Sequence, residues 1–193
     1  MTGKKIGWII GGVVAVAAIG AALSVESGSV QAYGDIALAG QALPQHESGV
    51  PDPAVGVPAP AIADEALSIA PGTSPTIVLF LAHWCPACQA EVPALTEWVE
   101  ANGLPTGVDL IAVAAGSSPS RGNYPPSIWL ERERFPFPVL YDDEAGTAAE
   151  AYGLSAFPFW VVLDSNGLVV ERFSGQLLDD EAISNLFTAV AGL

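Results

Sequence analysis

An α/β domain carried behind a membrane-spanning helix is the architecture this sequence predicts, and three observations lead there. From residue 61 onward, short β-rich apolar runs alternate with stretches of helical spacing, the pattern of a mixed α/β domain. Two of those runs, FWVVL and LVVERF, flank Asp164-Ser165-Asn166-Gly167, turn residues that make them antiparallel neighbours. At the other end of the chain, residues 6–25 contain no charged side chain, and as a helix they would measure about 30 Å, the thickness of a bilayer core.

The N-terminal span follows Lys4 and Lys5, which the positive-inside tendency keeps in the cytoplasm, so the remainder is expected on the extracytoplasmic side. A cleaved signal peptide is the alternative, because Val30-Gln31-Ala32 resembles a small-x-small cleavage site. Residues 1–25 are thus read as stub and anchor. Residues 26–60 read as a Pro/Gly-rich linker, with Pro44, Pro51, Pro53, Pro58 and Pro60 spaced through a stretch without periodicity. His46, within it, is expected to be solvated.

Residues 61–193 form the domain. Residues 76–81 (TIVLFL) are apolar enough for a strand buried on both faces. Residues 86–100 place Val92, Leu95, Trp98 and Val99 at helical spacing, and Asn102-Gly103 supplies a stop. A strand follows over 108–114, loop over 116–126, and a short helix over 127–134 with Ile128 and Trp129 available for packing. Residues 139–141 are a strand, 147–152 a helix ending at Gly153, and 159–163 and 168–173 the hairpin. A helix over 179–191 closes the chain, with acids in its first turn where they complement the helix dipole.

The formal net charge is −15, and beyond residue 25 four arginines face all 21 acids, 4 − 21 = −17. Nucleic acid is therefore excluded as a partner, since phosphate binding needs clustered cations.

Both cysteines, Cys85 and Cys88, fall in one Cys-x-x-Cys where strand gives way to helix. The first N–H groups of a helix lack internal partners and the dipole is positive there, which favours a thiolate at Cys85. So short a loop makes a poor structural staple, whereas two sulfurs one turn apart, unequally exposed, suit disulfide exchange: Cys85 attacks, and Cys88 resolves the mixed disulfide. Pro86 suits the first helical turn but has no N–H, and Ala87 adds no charge, so thiolate stabilisation is expected to be moderate, which disfavours a very strong oxidant. His83, two residues before Cys85, is expected as a partly exposed strand-end histidine. With Cys85 and Cys88 it makes three zinc ligands at most, so no resident metal is expected, although two thiolates could hold Cu(I).

The segment AHWCPACQAEVP, the strand TIVLFL, Tyr152-Gly153 ahead of Phe157-Pro158, and the hairpin FWVVLDSNGLVVERF together resemble the thioredoxin superfamily, and within it the TlpA/ResA-like exported or membrane-anchored thiol-disulfide oxidoreductases. The resemblance covers residues 57–193 and implies a central mixed β-sheet flanked by helices. It implies that Pro158 is cis and faces the cysteines, that Phe157 offers backbone groups to an extended substrate, that Trp84 covers one side of the thiols, and that Pro93 kinks the motif helix. Glu91 fits the Cys-x-x-Glu of exported members. The implied activity needs no cofactor beyond a redox-active Cys85–Cys88 disulfide. Its substrates would be proteins with disulfides or thiols, such as apocytochrome c, and its electron donor a membrane thiol transporter of the CcdA/DsbD type.

Two departures stand out. Leu79 occupies the strand position where many thioredoxins carry a buried acid, and residues 153–157 contain no acid before the proline. The proton acceptor for Cys88 is left open between water, His83 and Glu91. Ala82 stands where peroxidase relatives need threonine, which sets that activity aside. Two other functions stay open beside the reductase: an oxidant for secreted proteins, DsbA-like, and a non-enzymatic Cu(I)-binding module.

Overall fold

The computed structural model describes residues 30–72 and 74–193. The expected span over 6–25 lies outside the described residues; among these, no helix is long and apolar enough to cross a membrane.

Five strands form the main sheet: β4 (Thr76–Leu81), β5 (Asp109–Ala114), β6 (Val139–Tyr141), β7 (Phe159–Leu163) and β8 (Val169–Ser174), preceded in the chain by β1 (Ala37–Ala39), β2 (Ala61–Ala63) and β3 (Ser68–Ile69). The order across the sheet is β6-β5-β4-β7-β8. β4 lies parallel to β5 and antiparallel to β7, with Leu79 opposite Ala112 on one side and Trp160 on the other. This is the mixed sheet implied above. β4 sits at its centre because its five residues from Ile77 to Leu81 are all buried.

Four helices serve the sheet: α1 (Pro86–Asn102), α2 (Pro126–Arg132), α3 (Thr147–Ala151) and α4 (Asp180–Ala191). The alternation of side chains along β4 sends Ile77, Leu79 and Leu81 to one face, where Val92, Leu95 and Trp98 of α1 and Ile183, Phe187 and Val190 of α4 meet them. Trp98 and Phe187 stack with ring centroids 5.1 Å apart. Asp179 caps α4 by accepting from the Ala182 N–H at 2.8 Å. In α2 it is Trp129 that is buried, while Ile128 is exposed, which corrects the expectation that both would pack.

The opposite face, with Val78 and Phe80, is covered differently. α3 has only five residues, too few to shield a five-stranded sheet, and Leu43, Ala54, Ile62 and Ile69 complete the layer. Residues 30–60 are therefore not a spacer, as their composition suggests, but a folded part of the domain. Their backbone pairs with the domain along its length: Leu43 N–H with Ala151 O at 2.8 Å, His46 N–H with Gly153 O at 2.9 Å, and Gly56 N–H with Val169 O at 2.8 Å. Apolar burial and satisfied backbone donors outweigh the extended preference of its prolines. His46 is likewise buried, not solvated, with Nδ1 3.1 Å from Ser155 Oγ and its ring 5.3 Å from that of Phe159.

Tyr152, at the end of α3, ties that helix to the segment beside it in the same layer by donating its hydroxyl proton to Pro60 O at 2.8 Å in a fully buried position. Tyr152→Phe leaves that carbonyl unpaired and is expected to lower stability by about 1–2 kcal/mol in urea denaturation.

Candidate active site

Cys85 ends the turn after β4 and is the N-cap of α1, with extended backbone (φ −76°, ψ 120°) and Pro86 in the first helical turn. Its N–H donates to Ala82 O at 3.0 Å, which closes the turn. Cys88 lies one turn further along the helix. Both are free thiols, and their accessibility differs in the sense that exchange requires: Cys85 is 8% exposed and Cys88 fully enclosed. Cys88 Sγ accepts from the Ala82 N–H at 3.5 Å, but burial dominates and pushes this thiol far above its usual range. Left to itself, Cys88 stays protonated at neutral pH.

Pro158 faces this pair. The Phe157–Pro158 peptide is cis, and Cys85 Sγ lies 3.6 Å from Phe157 O, so the start of β7 forms the second wall of the thiol site. Trp84 makes a third side. Its Nε1 donates to Gly116 O at 2.7 Å and its ring meets Phe157 edge-on at 5.9 Å. Gly116 has a left-handed φ of 61°, which strains any side chain there, and its backbone lies against the site, with the position of a Cβ in van der Waals contact with the Phe157 ring at 3.5 Å. The loop behind Gly116 thus belongs to the site, although its composition marks it only as loop.

Glu91 is fully buried on the same face of α1 as Cys88, one turn on. One carboxylate oxygen, Oε2, accepts from the Leu177 N–H at 2.7 Å; the other, Oε1, is enclosed without a hydrogen-bond partner. Burial raises its pKa to about 7, partly offset by the Leu177 bond, and its charge acts on the Cys88 thiol. Pro93, next along, sits inside α1 and offers no N–H to the turn before it. Leu79 is enclosed in β4, so no acid reaches the site from that strand.

His83 does not do what was expected of it. It is buried, and both ring nitrogens are engaged: Nδ1 donates to Gly122 O at 2.7 Å and Nε2 accepts from the Ser118 N–H at 3.1 Å. Burial lowers its pKa, so the neutral ring is favoured. The imidazole fastens the 116–124 loop and has no lone pair free for Cys88 or a metal. Among the described residues there is no group of three or more His, Cys, Asp or Glu able to hold a metal ion.

Residues 54–190 match the Redoxin family. A thiol:disulfide interchange protein, a DsbE homologue from Paracoccus denitrificans, is 32% identical over 108 residues, which are 54% of this chain and 53% of that protein. The chain therefore spans about half the length of the curated relative it matches. Among solved structures, StoA from Bacillus subtilis superposes with a TM-score of 0.54 at 23% identity, over 70% of this chain and 99% of its own. A secreted Mycobacterium tuberculosis disulfide oxidoreductase homologous to Escherichia coli DsbE gives a TM-score of 0.51 at 20% identity, over 66% and 88%. At these identities the structures establish the fold.

Proposed function

The chain belongs to the Redoxin family, and from that premise we propose that it is a thiol-disulfide oxidoreductase of the DsbE type that reduces substrate disulfides outside the cytoplasm. The observation that carries this reading is the asymmetric dithiol: Cys85 at a helix start beside the cis-Pro158 wall, and Cys88 sealed one turn below with Glu91 under it.

Cys85, as thiolate, attacks one sulfur of a substrate disulfide. The substrate S–S bond breaks, a Cys85–substrate disulfide forms, and the departing thiolate takes a proton. Glu91 then accepts the Cys88 proton, Cys88 attacks Cys85 Sγ, and the second substrate thiol leaves protonated. Two electrons have passed to the substrate, and the protein is left as the Cys85–Cys88 disulfide. Phe157, beside Pro158, offers its backbone to the extended substrate chain.

Residues 6–25 act as the anchor that holds the domain at the outer membrane surface, and Lys4 and Lys5 fix the orientation. Electrons come from a membrane thiol transporter of the CcdA/DsbD type, and apocytochrome c cysteines are a fitting substrate. The test of direction is the midpoint potential of Cys85–Cys88: a value near about −270 mV supports a reductase, and one near about −120 mV would make it an oxidant of secreted proteins.

Glu91 supplies a further prediction. With its pKa at about 7, Glu91→Gln is expected to slow resolution of the mixed disulfide by about 100-fold and to remove the rise of that step through pH 7, read by stopped-flow tryptophan fluorescence. Stability should move the other way. A carboxyl whose folded pKa is raised stabilises the fold while protonated, and that contribution is lost as pH rises from the unfolded value toward 7. Glu91→Gln should therefore melt above the wild type at pH 8, with the difference shrinking toward pH 4. An unchanged rate profile would return the proton to water.

A further inference from the structure

Within residues 30–193 every cation is an arginine, and three of the four are neutralised. Arg132 pairs with Glu133 at 2.9 Å, Arg134 with Glu100 at 3.0 Å, and Arg172 with Asp52 at 2.6 Å. Arg121 alone has no carboxylate partner among the described residues. Its guanidinium carbon lies 5.0 Å from the centre of the Trp84 ring, immediately beside Cys85 in sequence, and its side chain is exposed. Twenty of the 21 acids, all but Glu26, share these residues with it.

We propose that Arg121, held over Trp84 at the mouth of the dithiol, binds a carboxylate next to the reacting cysteine of the substrate, so that disulfides flanked by Asp or Glu are exchanged fastest. The inference rests on the exchange reading above and adds a specificity-determining residue to it. A guanidinium over an aromatic face keeps its N–H edges free, and those edges match a carboxylate with two parallel bonds. The group is also pre-positioned. The Arg121 N–H donates to Ser118 O at 3.1 Å, Ser118 N–H is bonded to His83, and Tyr33 donates its hydroxyl to Ser117 O at 2.9 Å, so the loop presenting the cation is fastened on both sides. In a domain this acidic, basic segments are attracted over the whole surface and acidic ones only here, which makes a carboxylate the group that this position can place.

The experiment uses the pre-reduced full chain and three peptides with an internal disulfide, identical except for Glu, Gln or Lys on either side of one cysteine. The second-order rate constant for loss of each peptide disulfide is measured. The Glu-to-Gln ratio is expected at about two- to fivefold in the wild type. It should fall toward one in Arg121→Gln, invert in Arg121→Glu, and shrink in about 0.5 M NaCl. Because the readout is a ratio within one protein, partial loss of folded material does not disturb it. The proposal is overturned if the ratio is the same in wild type and Arg121→Gln, or if that substitution changes all three rates by one factor, which would put the charge to work on Cys85. If the wild type reduces none of the peptides, the exchange reading fails and takes this one with it.

Discussion

Cys88→Ala is expected to arrest the protein as a covalent adduct with its substrate: one peptide joined per chain by intact mass, and turnover down by at least about 10³-fold. The reason is the difference in burial between the sulfurs. Cys85 is the one that a substrate can reach, at the rim formed by Trp84, Phe157 and Pro158, while Cys88 is enclosed and touches only the protein. Without Cys88 nothing adjacent can attack the mixed disulfide. Cys85→Ser should lose turnover to the same extent and form no adduct, because the burial that seals Cys88 also holds it protonated. The double variant should be no worse than either single one, since the two sulfurs act as a unit. The trap does not depend on a large loss of stability: Cys88 Sγ has one long hydrogen bond, from Ala82, and its removal is expected to cost about 1–2 kcal/mol. Near-normal turnover by Cys88→Ala would mean that an external thiol resolves the adduct and that the asymmetry has no catalytic role.

The parts of this molecule legible in the sequence are those whose cause is local. Residues 139–141 and 159–163 are strands at the expected limits because an apolar run between turn residues has few other outcomes, and the helix expected over 179–191 is present as Asp180–Ala191, with Asp179 as its cap and not its first residue. The thiol pair is legible from its Cys-x-x-Cys spacing together with its place where strand gives way to helix and the tryptophan and prolines around it. What escaped has its cause far away in the chain. Residues 30–60 have the composition of a spacer, and the groups that fold them, Ala151, Gly153, Val169 and Arg172, come about a hundred residues later. His83 stands two residues before Cys85, yet its burial and its role are set by Ser118 and Gly122, 35 and 39 residues on. In α2, seven residues give too few positions to fix the phase of the buried face, so Ile128 and Trp129 could not be told apart. Glu91 is one of three candidates for the Cys88 proton that the sequence offers, and what sets it apart, the enclosure that raises its pKa, comes only from packing.

Arg172→Ala is expected to remove about 3–5 kcal/mol of stability in urea denaturation, more than any other substitution outside the thiol site proposed above. The guanidinium rises from β8 into the second face of the domain and is fully enclosed. Its Nε and Nη2 donate to the two oxygens of Asp52 at 2.8 and 2.6 Å, and Nη1 donates to Pro44 O at 3.0 Å and Tyr152 O at 2.8 Å. Gly153 leaves room for this arrangement, since a Cβ there would fall 2.8 Å from Nη1 and closer still to Pro44 O. Truncation leaves the Asp52 carboxylate mostly buried without its counter-charge and two carbonyls unpaired, and the lost desolvation balance exceeds the value of any single bond. Asp52→Asn keeps the carbonyl contacts and is expected to cost less, about 1–3 kcal/mol. The pair also gives a pH signature. Arg172 holds the Asp52 carboxyl below its usual range, so its stabilisation is present above the unfolded value of about 4 and is lost as pH falls through the lower folded value; Asp52→Asn should lack that acid limb. Protease cleavage within residues 40–60 should accelerate in Arg172→Ala while the thiol site still reacts with alkylating reagent. If Arg172→Ala unfolds within about 1 kcal/mol of the wild type, the segment is held by its apolar contacts alone, and Leu43 and Ala54 become the residues to change.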